Sequence, residues 1–304
     1  MDKLINPTGF FQFMRLPLYI VDVFAEAKYE GNQLAVVVDN IGLSQDLMQK
    51  IAREMHFSET TFITSSDLEN KSFRVRIFTP EGELPFAGHP TLGTAYVAQK
   101  ILLKKKVPDI TLIMKVGPIK VSFNYEGEEP GVLWMRQLPP EFGETHSVKT
   151  FADFLGLRSE DFDEDYPIQE VSTGVYFYII PLKTKEALKN VKINFEKLAL
   201  YSQNKKAKWP FMFCRETENP ENQIKARMIT TFTEDPATGS ANGCLAGYLL
   251  KHRYFGESKI DVRVEQGAEV KRPSILYLKS ERKGSDIIVD VGGKVAYIAE
   301  GYLV

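Results

Sequence analysis

Three short segments hold the side chains with the clearest use in chemistry. Phe57-Ser58-Glu59-Thr60-Thr61-Phe62 sets a carboxylate among aromatic residues, where a helical pattern gives way to a strand. Partial desolvation raises a carboxyl pKa, which suits a general acid or base near neutral pH. The alternative is a glutamate on a solvent-facing strand edge. Leu84-Pro85-Phe86-Ala87-Gly88-His89-Pro90 joins a glycine, free to turn and to let a ligand approach, to a helix start whose first amides lack intrahelical partners. His89 there either donates to a bound substrate or serves as a helix cap. Glu234-Asp235-Pro236-Ala237-Thr238-Gly239-Ser240-Ala241-Asn242-Gly243 repeats the plan, with Ser240 in the place of His89. Ser240 is a substrate contact or an ordinary cap. Asp235 is more telling, because Pro236 beside it fixes a tight turn that a plain surface loop has no need of.

The second and third segments belong to an internal repeat. Arg76, Thr79, Glu83, Pro85 and Gly88 match Arg227, Thr230, Glu234, Pro236 and Gly239 at a constant offset (227 − 76 = 151), about half of the 304 residues. Ala95 and Ala246 extend the match. Roughly one or two such coincidences are expected by chance from ordinary residue frequencies, against six observed. Two similar halves would each present a glycine turn and a helix N-terminus, and two such ends facing one cleft make a site for an anion.

Composition excludes several classes. The chain is 43% apolar and 26% charged, with net charge 38 − 40 = −2. Nothing predicts binding to nucleic acid or to a membrane surface, and basic runs such as Lys104-Lys105-Lys106 read as solvated faces. Two cysteines, Cys214 and Cys244, rule out a disulfide framework and a Cys-rich zinc site and fit a reducing, cytoplasmic compartment. Both thiols read as core residues, not nucleophiles. The four histidines show no metal-ligand spacing. Residues 1–13 read as an upstream extension, with Met14 as an alternative start. There is no G-x-S-x-G elbow, no P-loop and no dinucleotide fingerprint.

The elements that position these segments follow from periodicity. Pro17 to Phe24 and Leu34 to Val38 read as strands around a Gly31-Asn32 turn. Ser44 caps a helix through about Arg53. Phe73 to Phe78 is a half-buried strand, and Pro90 opens a helix running to about Lys106. Ile110 to Met114, Ile119 to Phe123 and Val132 to Met135 are strands, with Gly117-Pro118 as a turn. In the second half, Thr150 to Leu155 and Phe195 to Tyr201 are helices, and Val175 to Ile180 and Ala226 to Phe232 strands. Ala241 to Phe255 is the second long helix, ended by Gly256, and the acidic stretch Ser159 to Asp165 is a surface loop. Strands outnumber helices, and each half has one long apolar helix. A sheet wrapped around that helix is the economical arrangement. The expected division is an N-terminal lobe over 1–127, completed by a last strand near 296–304, and a C-terminal lobe over 128–304.

FSETTF, RIFTPEGELPFAGHPTLGTA and EDPATGSANG, with the opening run YIVDVFAEAKYEGNQLAVV, resemble the phenazine-biosynthesis isomerase-like (PhzF-like) family over nearly the whole chain after Met14. The resemblance implies the diaminopimelate-epimerase-like α/β (α+β) fold. That is two pseudo-symmetric lobes, each a mixed, mostly antiparallel sheet rolled around a central helix, with the site between them. It implies a homodimer with no cofactor or metal, acting on a small carboxylate. It also implies roles: Glu59 as the proton-moving acid/base, with His89, Asp235 and Ser240 completing the catalytic set. Gly88 and Gly239, with Pro90, Thr238 and Ala241, are the implied substrate contacts. The related racemases use a cysteine at each helix start, and no thiol stands at those positions here. The leading expectation is a cofactor-independent isomerase shifting a proton within a small carboxylic acid. A silent ligand-sensing or protein-binding member of the fold is the alternative from another class. An epimerase using Glu59 with an acid other than cysteine is the third.

Overall fold

A computed structural model describes residues 15–231 and 233–304. The expected extension over 1–13, Met14 and Phe232 lie outside the described residues. The first half contains β1 (Leu16–Val23), β2 (Asn32–Val38), α1 (Gln45–Met55), β3 (Glu59–Asp67), β4 (Ser72–Phe78) and β5 (Glu83–Leu84). It continues with α2 (Gly88–Val97), β6 (Asp109–Met114), β7 (Gly117–Glu126) and β8 (Glu129–Arg136). The second half opens with β9 (Glu141–His146), α3 (Val148–Leu155), β10 (Ile168–Ser172), β11 (Tyr176–Pro181), α4 (Lys185–Lys189) and α5 (Phe195–Ser202). There follow β12 (Trp209–Cys214), β13 (Ile224–Ile229), β14 (Glu234–Asp235), α6 (Gly239–Lys251), β15 (Lys259–Gln266), β16 (Ser274–Lys283), β17 (Asp286–Gly293) and β18 (Val295–Leu303).

The two halves share one pairing grammar. β1–β2 is antiparallel, β2–β3 parallel, β3–β4 and β4–β5 antiparallel, β4–β6 parallel, and β6–β7 and β7–β8 antiparallel. The run from β10 through β17 repeats those seven pairings in the same order and sense. The halves then exchange strands. β9 follows β8 in the chain but pairs with β10, while β18 follows β17 but pairs with β1. β8 and β17 pair with each other and join both sets into one sheet. This is the mixed, sheet-dominated, diaminopimelate-epimerase-like fold.

Each half rolls its strands around one helix. α2 touches β1, β2, β3, β6, β7, β8 and β18, and every one of its residues is buried. α6 touches β10, β11, β15, β16 and β17. Neither sequence has a polar face, so neither helix has a side to give to water. Small residues let the strands close in. A Cβ on Gly93 would lie 2.6 Å from Leu34 Cδ2, and one on Gly247 2.8 Å from the Pro140 Cβ. Leu92, Ala95, Leu245 and Leu249 of the two helices share one continuous core.

Most local expectations hold within a residue or two. Ser44 caps α1, its Oγ accepting from the Leu47 N–H at 3.3 Å. Four need correcting. The first long helix passes into a π-helical turn over Ala98–Leu103 and ends at left-handed Lys104, earlier than Lys106, because the Gln99 side chain donates to the Lys105 carbonyl at 2.9 Å. α6 ends at Lys251 instead of Phe255, because Arg253 turns left-handed (φ 50) and Tyr254 folds back against Phe213. The turn assigned to Gly117-Pro118 falls at Lys115-Val116, and Gly117 already belongs to β7. The stretch Ser159 to Asp165 is not wholly a surface loop: a 3₁₀ turn over Ser159–Asp161 drops Phe162 into a second core with Phe151, Leu155 and Tyr178.

Candidate active site

The repeated residues build a corner in each half. Arg76 grips Glu83 through two bonds of 2.7 and 2.9 Å, tying β4 to β5. Arg227 grips Glu234 through two of 2.8 Å, tying β13 to β14. Thr79 closes its hairpin on Gly82, and Thr230 closes the other on Thr233, each with a backbone bond of 2.8 Å. The chain then runs through proline into a glycine that opens α2 or α6.

The two glycines meet. A Cβ on Gly88 would lie 3.3 Å from the Gly239 Cα, and one on Gly239 would lie 3.5 Å from the Gly88 Cα. The N-termini of the two central helices therefore abut, and neither N-cap, Ala87 or Thr238, caps its helix with a side chain. The N–H groups of Gly88 and His89 precede the first intrahelical bond of α2, Thr91 N to Ala87 O. Those of Gly239, Ser240 and Ala241 precede the first of α6, Asn242 N to Thr238 O. Two positive dipole ends side by side repel unless an anion sits against them, so this junction suits a carboxylate. Pro90 lies in the first turn but has no N–H to offer, and Ala241 contributes only its backbone.

Glu59 opens β3, directly after α1 ends in left-handed His56 (φ 55). It shares the inward face of β3 with Thr61, which accepts from Thr94 of α2 at 2.8 Å. Glu59 Oε2 lies 3.3 Å from His89 Nε2, with the two side chains 16% and 6% exposed. Neither atom has a hydrogen-bond partner in usable geometry, so two buried polar atoms face the same space unsatisfied. Burial, reinforced by the charges of Asp235 and Glu81, pushes the Glu59 carboxyl up to about 8. Burial pulls His89 down to about 3, against a hydrogen bond from its ring to the Gln33 backbone. His89 is thus a neutral imidazole. With the nitrogen facing Gln33 protonated, Nε2 carries the lone pair.

Asp235 closes β14 in a different environment. Its Oδ1 accepts from Asn32 Nδ2 at 2.8 Å and from the Ala237 N–H at 3.3 Å, and its Oδ2 accepts from the Thr238 hydroxyl at 2.7 Å. Burial raises its pKa to about 6, and these three donors limit the rise. The bond to Ala237 makes the tight turn expected at Pro236. Thr238 is placed as a support, not as a free ligand contact. Its hydroxyl serves Asp235 and accepts from Gln266 Nε2, and its N–H donates to Gln266 Oε1. Ser240 is partly buried, and its carbonyl accepts from the Thr173 hydroxyl at 3.4 Å.

Two residues of this arrangement escaped the sequence reading. Asn32 looked like a turn residue, yet it opens β2 and reaches Asp235 and the Ala237 carbonyl. Gln266, 2% exposed, spends both ends of its amide on Asp235, Thr238 and Asn242. Only the Gly31-Asn32 dipeptide gave a signal, and it indicated a turn. Cys214 and Cys244 are buried, and burial pushes both thiols up to about 12, far from the thiolate a nucleophile needs. Among the described residues no group of three or more His, Cys, Asp or Glu side chains could hold a metal ion, and no helix is long and apolar enough to cross a membrane.

Comparison with known proteins places the chain in a family. Residues 21–301 match the family described as phenazine biosynthesis-like protein. An uncharacterized isomerase of Mesorhizobium japonicum is 32% identical over 93% of this chain and 97% of its own length. The trans-2,3-dihydro-3-hydroxyanthranilate isomerase of Pseudomonas aeruginosa is 32% identical over 93% of this chain and 97% of its own. The crystal structure of a Bacillus anthracis phenazine biosynthesis protein of the PhzF family superposes with a TM-score of 0.86 at 26% identity, covering 96% of this chain and 100% of that one. The chain belongs to the phenazine biosynthesis-like (PhzF) family of isomerases.

Proposed function

We propose that this isomerase moves a proton within a small carboxylic acid, with Glu59 as the group that takes and returns it and with no cofactor. The carboxylate of the substrate lies against the N–H groups at Gly88 and Gly239. Each helix end contributes about 0.3–2 kcal/mol to holding it. His89 accepts through Nε2, Asp235 accepts from an amine or hydroxyl of the substrate, and Ser240 adds a further hydrogen bond. The Glu59 carboxylate removes a proton from a carbon whose electrons can delocalise. The resulting carboxylic acid gives the proton back at another carbon, so atoms and charge balance over the cycle.

The observation that carries this reading is the pair of unsatisfied buried atoms, Glu59 Oε2 and His89 Nε2, 3.3 Å apart beside the paired helix ends. A buried polar group without a partner costs stability. His146 Nε2 and Glu170 Oε1 form a second such pair, 3.5 Å apart; what sets Glu59 and His89 apart is that His89 stands in the first turn of α2, next to the Gly88–Gly239 junction. Two-thiol racemisation finds no support, since His89 and Ser240 occupy the helix starts. The test uses trans-2,3-dihydro-3-hydroxyanthranilate, the compound named for the Pseudomonas relative, and a panel of small carboxylates in D₂O. Deuterium should enter at carbon with the wild type. It should fall on the order of 10²–10⁴-fold with Glu59→Gln, while ligand affinity stays within about twofold. Exchange at the wild-type rate in that variant removes Glu59 from the mechanism. Binding without exchange across the panel would favour the silent ligand-sensing alternative.

A further inference from the structure

Asp235 is held from the opposite half of the molecule. Its Oδ1 partner, Asn32, lies 203 residues away in sequence and belongs to the first half's sheet. Asn32 opens β2 at the end of the loop 24–31. Lys294, Ile275 and Tyr277 of the second half hold the start of that loop, and its end is gripped by Arg272. Its Nε donates to the Gly31 carbonyl at 2.9 Å, and its Nη1 donates to the Tyr29 carbonyl at 2.8 Å. Its Nη2 donates to the Glu30 carbonyl and to Asp22 Oδ1, both at 2.7 Å. Asp22, 3% exposed at its side chain, turns its other oxygen to the Tyr29 N–H at 2.9 Å. The Gly31 N–H donates to the Pro273 carbonyl at 2.8 Å.

Both ends of the loop bear on the candidate site. At one end, Phe24 is fully buried in a left-handed conformation (φ 62) that a bulky residue adopts only under constraint. Its ring lies 3.3 Å from where a Cβ of Gly239 would be. At the other, Gly31 (φ 69) allows the turn into Asn32, because a Cβ there would sit 2.3 Å from the Val23 carbonyl oxygen. Only a planar fork of donors reaches three carbonyls and a carboxylate at once; a lysine ammonium has three donors on a single atom.

We propose that Arg272, through the loop 24–31, and Asn32, in direct contact, act as positioning residues that brace the Asp235 carboxylate across the seam. The inference rests on the reading of Asp235 as the group that orients substrate, but its test does not require turnover. The charged neighbour of Asp235 within the site is Glu59, and the brace adds no further charge beside it, since the Arg272 guanidinium is taken up by Asp22 and the three carbonyls.

The test follows the Asp235 carboxyl by carbon NMR in the ligand-free protein labelled at the aspartate side-chain carboxyl, its resonance identified by its loss in Asp235→Asn. Asn32→Ala removes one of three donors to the anion and should move the Asp235 midpoint upward by roughly one pH unit. Arg272→Met should move it the same way by a smaller amount. The double variant should match Asn32→Ala alone, because both act through the same donor. Arg272→Lys, which keeps the charge and loses the fork, covers the case in which Arg272→Met does not fold, and it should also raise the midpoint. A midpoint unchanged in Asn32→Ala, or a midpoint unchanged in Arg272→Lys while its Tm falls, would overturn the brace and leave a purely structural clamp. If the midpoints move as stated while Asp235→Asn exchanges deuterium at the wild-type rate, the brace stands and the substrate-orienting role of Asp235 falls.

Discussion

The two corners of the molecule share a scaffold and differ in chemistry. In each, an arginine grips a glutamate across a two-strand tie, a threonine closes the hairpin, and a proline leads to a glycine that opens a buried helix. The side chains standing on that scaffold are unlike. Glu59 opens β3 opposite Leu34, and its register equivalent opposite Phe177 is Trp209. Leu84 pairs with Ile77 where Asp235 pairs with Met228. Asn32 stands two residues before Leu34, where Val175 stands two residues before Phe177. His89 corresponds to Ser240. The residues common to both corners make turns and ties, and the residues that differ carry the acid, the base and the donors. The turns and ties are common to both halves, and the side chains that the proposed proton transfer would use are not.

The two carboxylates teach the same lesson on a smaller scale. Both are buried. Asp235 has three donors and rises to about 6, whereas the Oε2 of Glu59 has no partner and Glu59 rises to about 8. Hydrogen bonds to the charged form hold Asp235 nearer the ordinary carboxylate range, and their absence at Glu59 Oε2 leaves burial to act unopposed there.

The contrast can be broken experimentally, beginning with Glu59→Gln, which should cost on the order of 10²–10⁴-fold in exchange. Next come the paired arginines. Arg227, 9% exposed, also donates to the Leu188 and Lys189 carbonyls, whereas Arg76 is 28% exposed. Arg227→Met should therefore destabilise by about 3–5 kcal/mol and Arg76→Met by about 1 kcal/mol; equal losses in urea denaturation would show that the corners are mechanically alike. A smaller effect lies in the pH dependence of stability. Folded Glu59 keeps its proton to about pH 8, against 4.5 for an unperturbed glutamate. The folded state thus binds more protons than the unfolded one between those values, and stability contributed by this group falls as pH rises through the window. Glu59→Gln should melt above the wild type at pH 8.5 and with it near pH 4.5. The finest test is the pH profile of exchange. With the Glu59 carboxylate as the proposed proton acceptor, kcat/KM should climb with pH and level off above about pH 8. Asp235→Asn, by removing a negative charge that raises the Glu59 pKa, should move that rise to lower pH; a shift to higher pH would contradict the electrostatic account.

Much of the scaffold was legible because its causes are local. The Ser44 cap, the strand at Phe73 to Phe78 and the two long helices, read from Pro90 and Ala241 and beginning two residues earlier at Gly88 and Gly239, follow from turn chemistry and periodicity within a few residues. Helix ends were read less well, since Lys104 and Arg253 stop their helices through conformations that nothing in their own residue types demands. Phe162 was misplaced for a related reason: one aromatic residue in an acidic stretch finds its burial against elements that a local pattern does not contain.

The sequence by itself determined the duplication, the two glycine corners and the residue types that could act there, because repeat, turn and cap signals are written in adjacent positions. Only the tertiary structure decided that the glycines touch, that Glu59 lacks a hydrogen-bond partner at Oε2 while Asp235 has three, and that Asn32 and Gln266 belong to the site. Those facts depend on burial and on contacts such as Asn32 to Asp235, between residues far apart in the chain, and a carboxylate's readiness to give up a proton is set by what surrounds it in space.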